Sequence, residues 1–135
     1  MKGDSTLPAC RLCDWLRETP ATATLNNVVS VPDAFPLSPG HALILPLRHE
    51  PNFFRLAEDE QRAVWQLVAQ EQIRLAADLC TDSFNVGLNV GVAGGQTVAH
   101  AHVHLVPRFP GDVDDPRGGV RCVIPANREW WRPQG

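Results

Sequence analysis

The sequence predicts an α+β domain, an antiparallel sheet of short strands crossed by one long helix. Three observations carry that expectation. Short apolar runs punctuated by Pro, Gly and Asn occupy residues 20 to 46. A single helical period fills Glu58 to Leu79, and two-residue alternation returns from Phe84 and ends in Ala99-His100-Ala101-His102-Val103-His104-Leu105. A chain of 135 residues is long enough for one substantial core and too short to argue for two. Residues 1–135 are therefore read as a single domain, with its core over 10–109 and a tail over 110–135.

Taken in order, Cys10 and Cys13 form a Cys-x-x-Cys close to the N-terminus. Ala23 to Val31 reads as a strand between Pro20 and Pro32, with Asn26-Asn27 as a turn or bulge inside it. Pro39-Gly40 is a turn, and Ala42 to Leu45 is a short apolar strand. Over Glu58 to Leu79, Val64, Leu67, Val68, Leu75 and Leu79 share one stripe, and Glu58, Asp59 and Glu60 suit the positive end of the helix dipole. Ile73 and Trp65 lie off that stripe, either to meet a partner subunit or as ordinary exposed apolar groups. Phe84 to Val90 is the next strand and Gly91 to Gly95 a loop. In the tail Val120 to Ile124 is a candidate strand, and Trp130-Trp131 pack on their own subunit or on a partner. Cys80, at the helix end, and Cys122 are read as packing residues.

Three of the five histidines stand at strict two-residue spacing. On a strand His100, His102 and His104 would line one face. Adjacent imidazolium charges repel, so such a face should meet an anion or a metal. Gly94 and Gly95 ahead of it leave backbone N–H groups uncluttered for phosphate oxygens, and Thr97 adds a hydroxyl.

The run Gly95-Gln96-Thr97-Val98-Ala99-His100-Ala101-His102-Val103-His104-Leu105-Val106 resembles the histidine-triad (HIT) superfamily of nucleotidyl hydrolases and transferases, whose signature alternates three histidines with apolar residues. Asp33-Ala-Phe-Pro-Leu-Ser-Pro-Gly-His41 through Pro46-Leu-Arg-His49 is similar to the family's segment with a ribose-binding Asp, and Phe84 to Asn89 to its next-to-last core strand. The resemblance implies a HIT-like fold in which His102 is the nucleophile. His104 would bond phosphate oxygens or assist the leaving group, and His100 would hold the nucleophile. Gln96 and Thr97 would hydrogen-bond phosphate oxygens, with Asp33, Asn89 and Gly95 completing the nucleotide site. Without the resemblance Asp33 reads as a turn cap beside Pro32. His41 joins the histidine network or is a turn histidine, and Arg108, Arg117 and Arg121 meet distal phosphates or are simply solvated.

Cys10 and Cys13 are compatible with a redox pair. With His49 and His100 they also make a tetrahedral zinc set, which several bacterial HIT proteins carry as an N-terminal knuckle. A structural Zn2+ is therefore expected on Cys10, Cys13, His49 and His100. The net charge is −3 with both signs interspersed, which argues against nucleic acid as a partner. No apolar run is long enough to span a bilayer and Met1 to Ser5 lacks a signal-peptide core, so a cytoplasmic chain is expected. The expected activity is attack on the α-phosphate of a dinucleoside polyphosphate, with an adenine-containing nucleotide as the expected substrate, and release of a monophosphate. The alternatives are a purine nucleoside phosphoramidase, a nucleotidyl transferase, or a non-catalytic zinc-stabilised nucleotide sensor. Family resemblance adds a homodimer whose C-terminal segments approach the partner's site.

Overall fold

The computed structural model describes residues 9–132; Met1 to Ser5 and the last three tail residues lie outside that range. A five-stranded antiparallel sheet has the order β1-β2-β3-β5-β4. Its strands are β1 (Ala23–Leu25), β2 (Val28–Pro32), β3 (Ala42–Pro46), β4 (Ser83–Gly87) and β5 (Val103–Arg108). The expected strand over residues 23–31 is a hairpin of two strands. Asn26 at φ 53° makes its turn, a conformation that asparagine tolerates better than most residues, so Leu25 pairs with Val28.

Helix α2 (Glu58–Leu79) covers one face of the sheet. Val64, Leu67, Val68 and Leu75 are buried there against Val28, Ile44, Val103 and Leu105, while Leu79 packs at the margin. The same stripe buries a charge that hydropathy alone missed. Glu71 is 2% exposed, accepts from Thr22 Oγ1 at 3.0 Å and pairs with Arg74 at 2.8 Å. A buried carboxylate persists only with such partners. Its pKa is lowered: burial pushes upward, and the hydrogen bonds from Arg74, Ser30 and Thr22 outweigh it. Trp65 and Ile73 lie off the packed stripe and are exposed.

A short helix, α1 (Arg11–Glu18), covers the other face. Cys10 caps it, its sulfur accepting from Cys13 N–H, and Leu12 buries against Val29, Val31, Leu43 and Leu45. The Cys-x-x-Cys is thus the first turn of a helix.

Three expectations need correcting. The sheet begins only at Val103, so His100 and His102 precede the strand and His104 alone lies in it. The reason is in the neighbour: the β3–β5 ladder runs from Ala42 to Ile44, β3 ends at Pro46, and proline has no N–H to extend the pairing. Residues 120–124 form no strand. A 3-10 helix spans Gly119–Val123 behind Gly118 at φ 90° and Gly119 at φ 44°. Cys80 and Cys122 are exposed instead of packed, Cys80 ending α2 in a left-handed conformation. Among the described residues no helix is long and apolar enough to cross a membrane.

Candidate functional site

His100 and His102 are held by backbone groups that fix where each proton sits. His100 is fully buried, and its Nε2 lies 2.8 Å from the carbonyl of Pro46, the group the sheet leaves free. A carbonyl only accepts, so Nε2 carries the proton and Nδ1 is a bare lone pair. That nitrogen stands 3.6 Å from Cys10 Sγ and 3.5 Å from Cys13 Sγ, while His49 Nδ1 stands 3.6 Å from Cys13 Sγ. The four ligand atoms of Cys10, Cys13, His49 and His100 lie within 4.8 Å of one another, and the group could hold a metal ion. Burial and the neighbouring Cys10 push the Cys13 thiol up to about 11, so Cys13 holds its proton at neutral pH unless a cation displaces it.

His102 is oriented by the main chain two residues back. Its Nδ1 donates to the carbonyl of His100 at 2.7 Å, which leaves Nε2 with an unprotonated lone pair. The Gly91–Gly94 loop, a natural source for that carbonyl, supplies none. Its expected phosphate-binding amides are also occupied, since Gly94 N–H donates to Gly91 and Gly95 N–H to Val92. Gln96 closes the same loop. Its Oε1 accepts from Gly91 N–H, and its Nε2 donates to Pro51 and Val98 carbonyls at 2.8 and 3.0 Å. Gly95 sits at φ 92° with the Asn89 side chain beside it, and Thr97 is exposed at the edge of a cleft.

His104 faces His102 with ring centroids 4.9 Å apart. Behind it runs a chain of hydrogen bonds. Leu37 N–H donates to His41 Nδ1 at 3.0 Å, so His41 carries its proton on Nε2, 2.9 Å from His104 Nδ1. His104 therefore accepts at Nδ1 and presents Nε2–H as a donor. Asp33 lies beside both: Oδ1 accepts from Phe35 N–H at 2.8 Å, and Oδ2 is 3.3 Å from His41 Nε2. Asp33 is thus a turn cap and a neighbour of the histidine pair at once. Asp33, His41 and His104 also cluster closely enough for a metal, but the Leu37 donor assigns the His41 proton to the nitrogen a metal would need. Burial keeps both rings neutral. His104 is pushed down to about 4, with the charges of His102 and His41 adding to desolvation, and His41 is lowered by burial against the opposing pull of Asp33.

Next to this pair opens a cleft of about 480 Å³ walled by Leu12, Trp15, Phe35 and Leu43, with Asp33 and Thr97 at its polar edge. Helix α1 supplies two of those walls, a contribution that sequence reading missed because the eight-residue helix gave no long period. Of the candidate arginines, Arg108 is bound to Asp112 through two nitrogens, Arg117 pairs with Asp115, and Arg121 donates to tail carbonyls.

A family model described as the HIT domain matches residues 17–111. An uncharacterised HIT-like protein of Saccharolobus solfataricus is 35% identical over 66% of this chain and 64% of its own length. The AP-4-A phosphorylase of Mycobacterium tuberculosis is 37% identical over 64% of this chain and 45% of its own, and the asymmetrical bis(5'-nucleosyl)-tetraphosphatase of Schizosaccharomyces pombe 34% over 59% and 44%. The chain thus spans from under half to about two thirds of the length of these relatives. Among solved structures, a zinc-bound histidine triad protein of Mycobacterium smegmatis superposes with a TM-score of 0.64 at 31% identity, covering 77% of this chain and 78% of that one.

Proposed function

This chain belongs to the HIT domain family, and from that premise we propose that it hydrolyses dinucleoside polyphosphates at the α-phosphate through a nucleotidyl intermediate on His102. The single observation that carries the reading is the hydrogen bond from His102 Nδ1 to the His100 carbonyl, which leaves the lone pair on Nε2 as the nucleophile.

The nucleoside enters the cleft beside Trp15 and Phe35, and Asp33 Oδ2 accepts from the ribose hydroxyls. His102 Nε2 attacks the α-phosphorus; the N–P bond forms as the bridging P–O bond breaks, and its electron pair leaves on the departing polyphosphate. His104 Nε2–H donates to the α-phosphate oxygens, and its low proton affinity keeps it a hydrogen-bond donor instead of a second cation beside the nucleophile. Thr97 and Asn89 contact the phosphates from the loop side, and Gln96 with Gly95 holds that loop in place. Water then attacks phosphorus, the N–P bond breaks, and a nucleoside monophosphate leaves with His102 neutral again. Kinship with both a phosphorylase and a tetraphosphatase leaves inorganic phosphate as the competing second acceptor.

Zinc is the metal in this reading. A tetrahedral ion with sulfur at about 2.3 Å and nitrogen at about 2.0 Å separates the two atoms by about 3.5 Å, and the three Sγ···Nδ1 separations here are 3.5 to 3.6 Å. Four protein ligands close the coordination, so the ion is structural. A homodimer belongs to the same proposal, its interface drawn from exposed Trp65 and Ile73 and a sheet edge; light scattering that finds a monomer at micromolar concentration overturns that part. The activity itself is tested by turnover of diadenosine tetraphosphate and adenosine phosphoramidate with and without phosphate. Hydrolysis of the tetraphosphate to AMP and ATP is expected. ADP formed only with phosphate would make the enzyme a phosphorylase, and binding without turnover would make it a sensor.

A further inference from the structure

The C-terminal tail builds a second cavity on the same face of the sheet as His104. Alternate residues of a strand share a face, so His104, Val106 and Arg108 of β5 lie together, opposite Gly87, Asn85 and Ser83 of β4. Over the Asn85 end the tail folds back on its own chain. Arg108 donates to Asn85 and to Asp112, Arg128 donates to the carbonyls of Arg117 and Asp115, and Arg117 stacks 4.8 Å from the centre of the Trp131 ring. Gly119 fits closely there: its backbone is at φ 44°, and a Cβ at that position would stand 3.0 Å from Asn85 Nδ2. Between tail and sheet lies a cavity of about 420 Å³, walled by Pro116, Val120, Cys122, Asn85 and the stems of Arg108 and Arg128.

The path from His104 to this cavity is open. Gly87 pairs with His104, and a Cβ on Gly87 would meet nothing within 4 Å, so the floor between the histidine and Asn85 carries no side chain. Two residues of strand cover about 7 Å, a distance bridged by a few phosphate groups. The cavity itself does not suit a phosphate. Arg108 is neutralised by Asp112 through two hydrogen bonds, and Arg128 spends its donors on backbone carbonyls. Asp115 also lines the cavity and is paired with Arg117 and Arg128, so its charge is spoken for as well; the remaining apolar walls with one amide edge suit a planar, uncharged heterocycle.

We infer that the tail cavity is the seat of the leaving nucleoside, so that a dinucleoside polyphosphate spans from the α1 cleft, past His102 and His104, over Gly87 to Asn85 and Val120. This rests on the reading of His102 as the attacking group. It makes the tail a determinant of substrate class: a compound with nucleosides at both ends uses both cavities, and an adenosine phosphoramidate uses one.

Cys122 lines the cavity and is exposed, so it reports occupancy directly, with exposed Cys80 at the end of α2 as the reference thiol. A methylene-bridged, uncleavable analogue of diadenosine tetraphosphate, at about ten times its Kd, should slow alkylation of Cys122 about tenfold. Cys80 should be unaffected, and AMP should protect neither thiol. Equal reactivity of Cys122 with and without the analogue overturns the inference. In a second measurement Gly87→Leu, on extended backbone with open space above it, should lower kcat/KM for diadenosine tetraphosphate by at least about tenfold while adenosine phosphoramidate stays within about twofold. Equal loss on both substrates, or on neither, contradicts the subsite. A parent protein that turns over neither substrate overturns the reading of His102, and the subsite with it.

Discussion

His100 and His102 are two residues apart, yet they sit in opposite chemical settings. The ring of His100 is fully buried, its Nε2 fixed on Pro46 and its Nδ1 aimed at two sulfurs, so everything it offers is consumed inside the protein. The ring of His102 is half-buried and fixed by a single hydrogen bond to the His100 carbonyl, with its second nitrogen left over. The difference is one between a closed set and an open one: four protein ligands would leave a metal nothing to react with, while one unsatisfied lone pair is what the proposed nucleophile needs. It also separates two demands on His100 that sequence left in competition, because its ring serves the sulfurs and its carbonyl serves His102.

The comparison breaks most sharply at the open histidine. His102→Ala should lower kcat by at least about a thousandfold while nucleotide affinity persists through Asp33 and the α1 cleft, measured by single-turnover kinetics and by calorimetry. Next comes the closed set. Cys10→Ser should strip the metal and lower Tm by about 10 °C, since a structural ion contributes folding free energy directly. Metal analysis of the parent should give about one zinc per chain. Because the His100 carbonyl is main chain, any activity of the folded fraction should fall far less than in His102→Ala.

The smallest effect is the acid limb of stability. The folded pKa of His104 is depressed to about 4, below its ordinary 6.5, so between those values the unfolded chain takes up a proton that the folded chain refuses. That contribution is nil above pH 6.5 and turns destabilising as pH falls toward 4. His41, also lowered, adds in the same direction. His104→Gln should flatten the fall of Tm between pH 6.5 and 4; a slope unchanged by the substitution would contradict the buried neutral state.

Periodicity made the main elements legible. Helix α2 has the ends its charged start and apolar stripe indicate, and Asn26-Asn27 marked its turn. Two-residue spacing brought His102 and His104 to one spot, but not on a continuous strand, because the ladder stops near Pro46, a partner distant in sequence. The role of Pro46 as a hydrogen-bond acceptor, and that of Leu37 in assigning the His41 proton, belong to backbone groups that carry no side-chain signal. Glu71 carried no signal in the sequence, because Thr22 and Ser30, its partners, lie more than 40 positions away. Cys122 looked apolar in its run of valines, yet the glycines before it turn the segment into a 3-10 helix with the thiol outside.

The central claim is that the free Nε2 of His102 becomes covalently bonded to phosphorus. Rapid mixing of enzyme with diadenosine tetraphosphate, quenching in base to preserve a phosphoramidate and mapping the peptides by mass spectrometry tests it directly. The account predicts an adenylyl group on His102, formed and lost at rates compatible with turnover. Steady turnover with no adenylylated peptide, and with inversion instead of retention of configuration at the α-phosphorus, would contradict it.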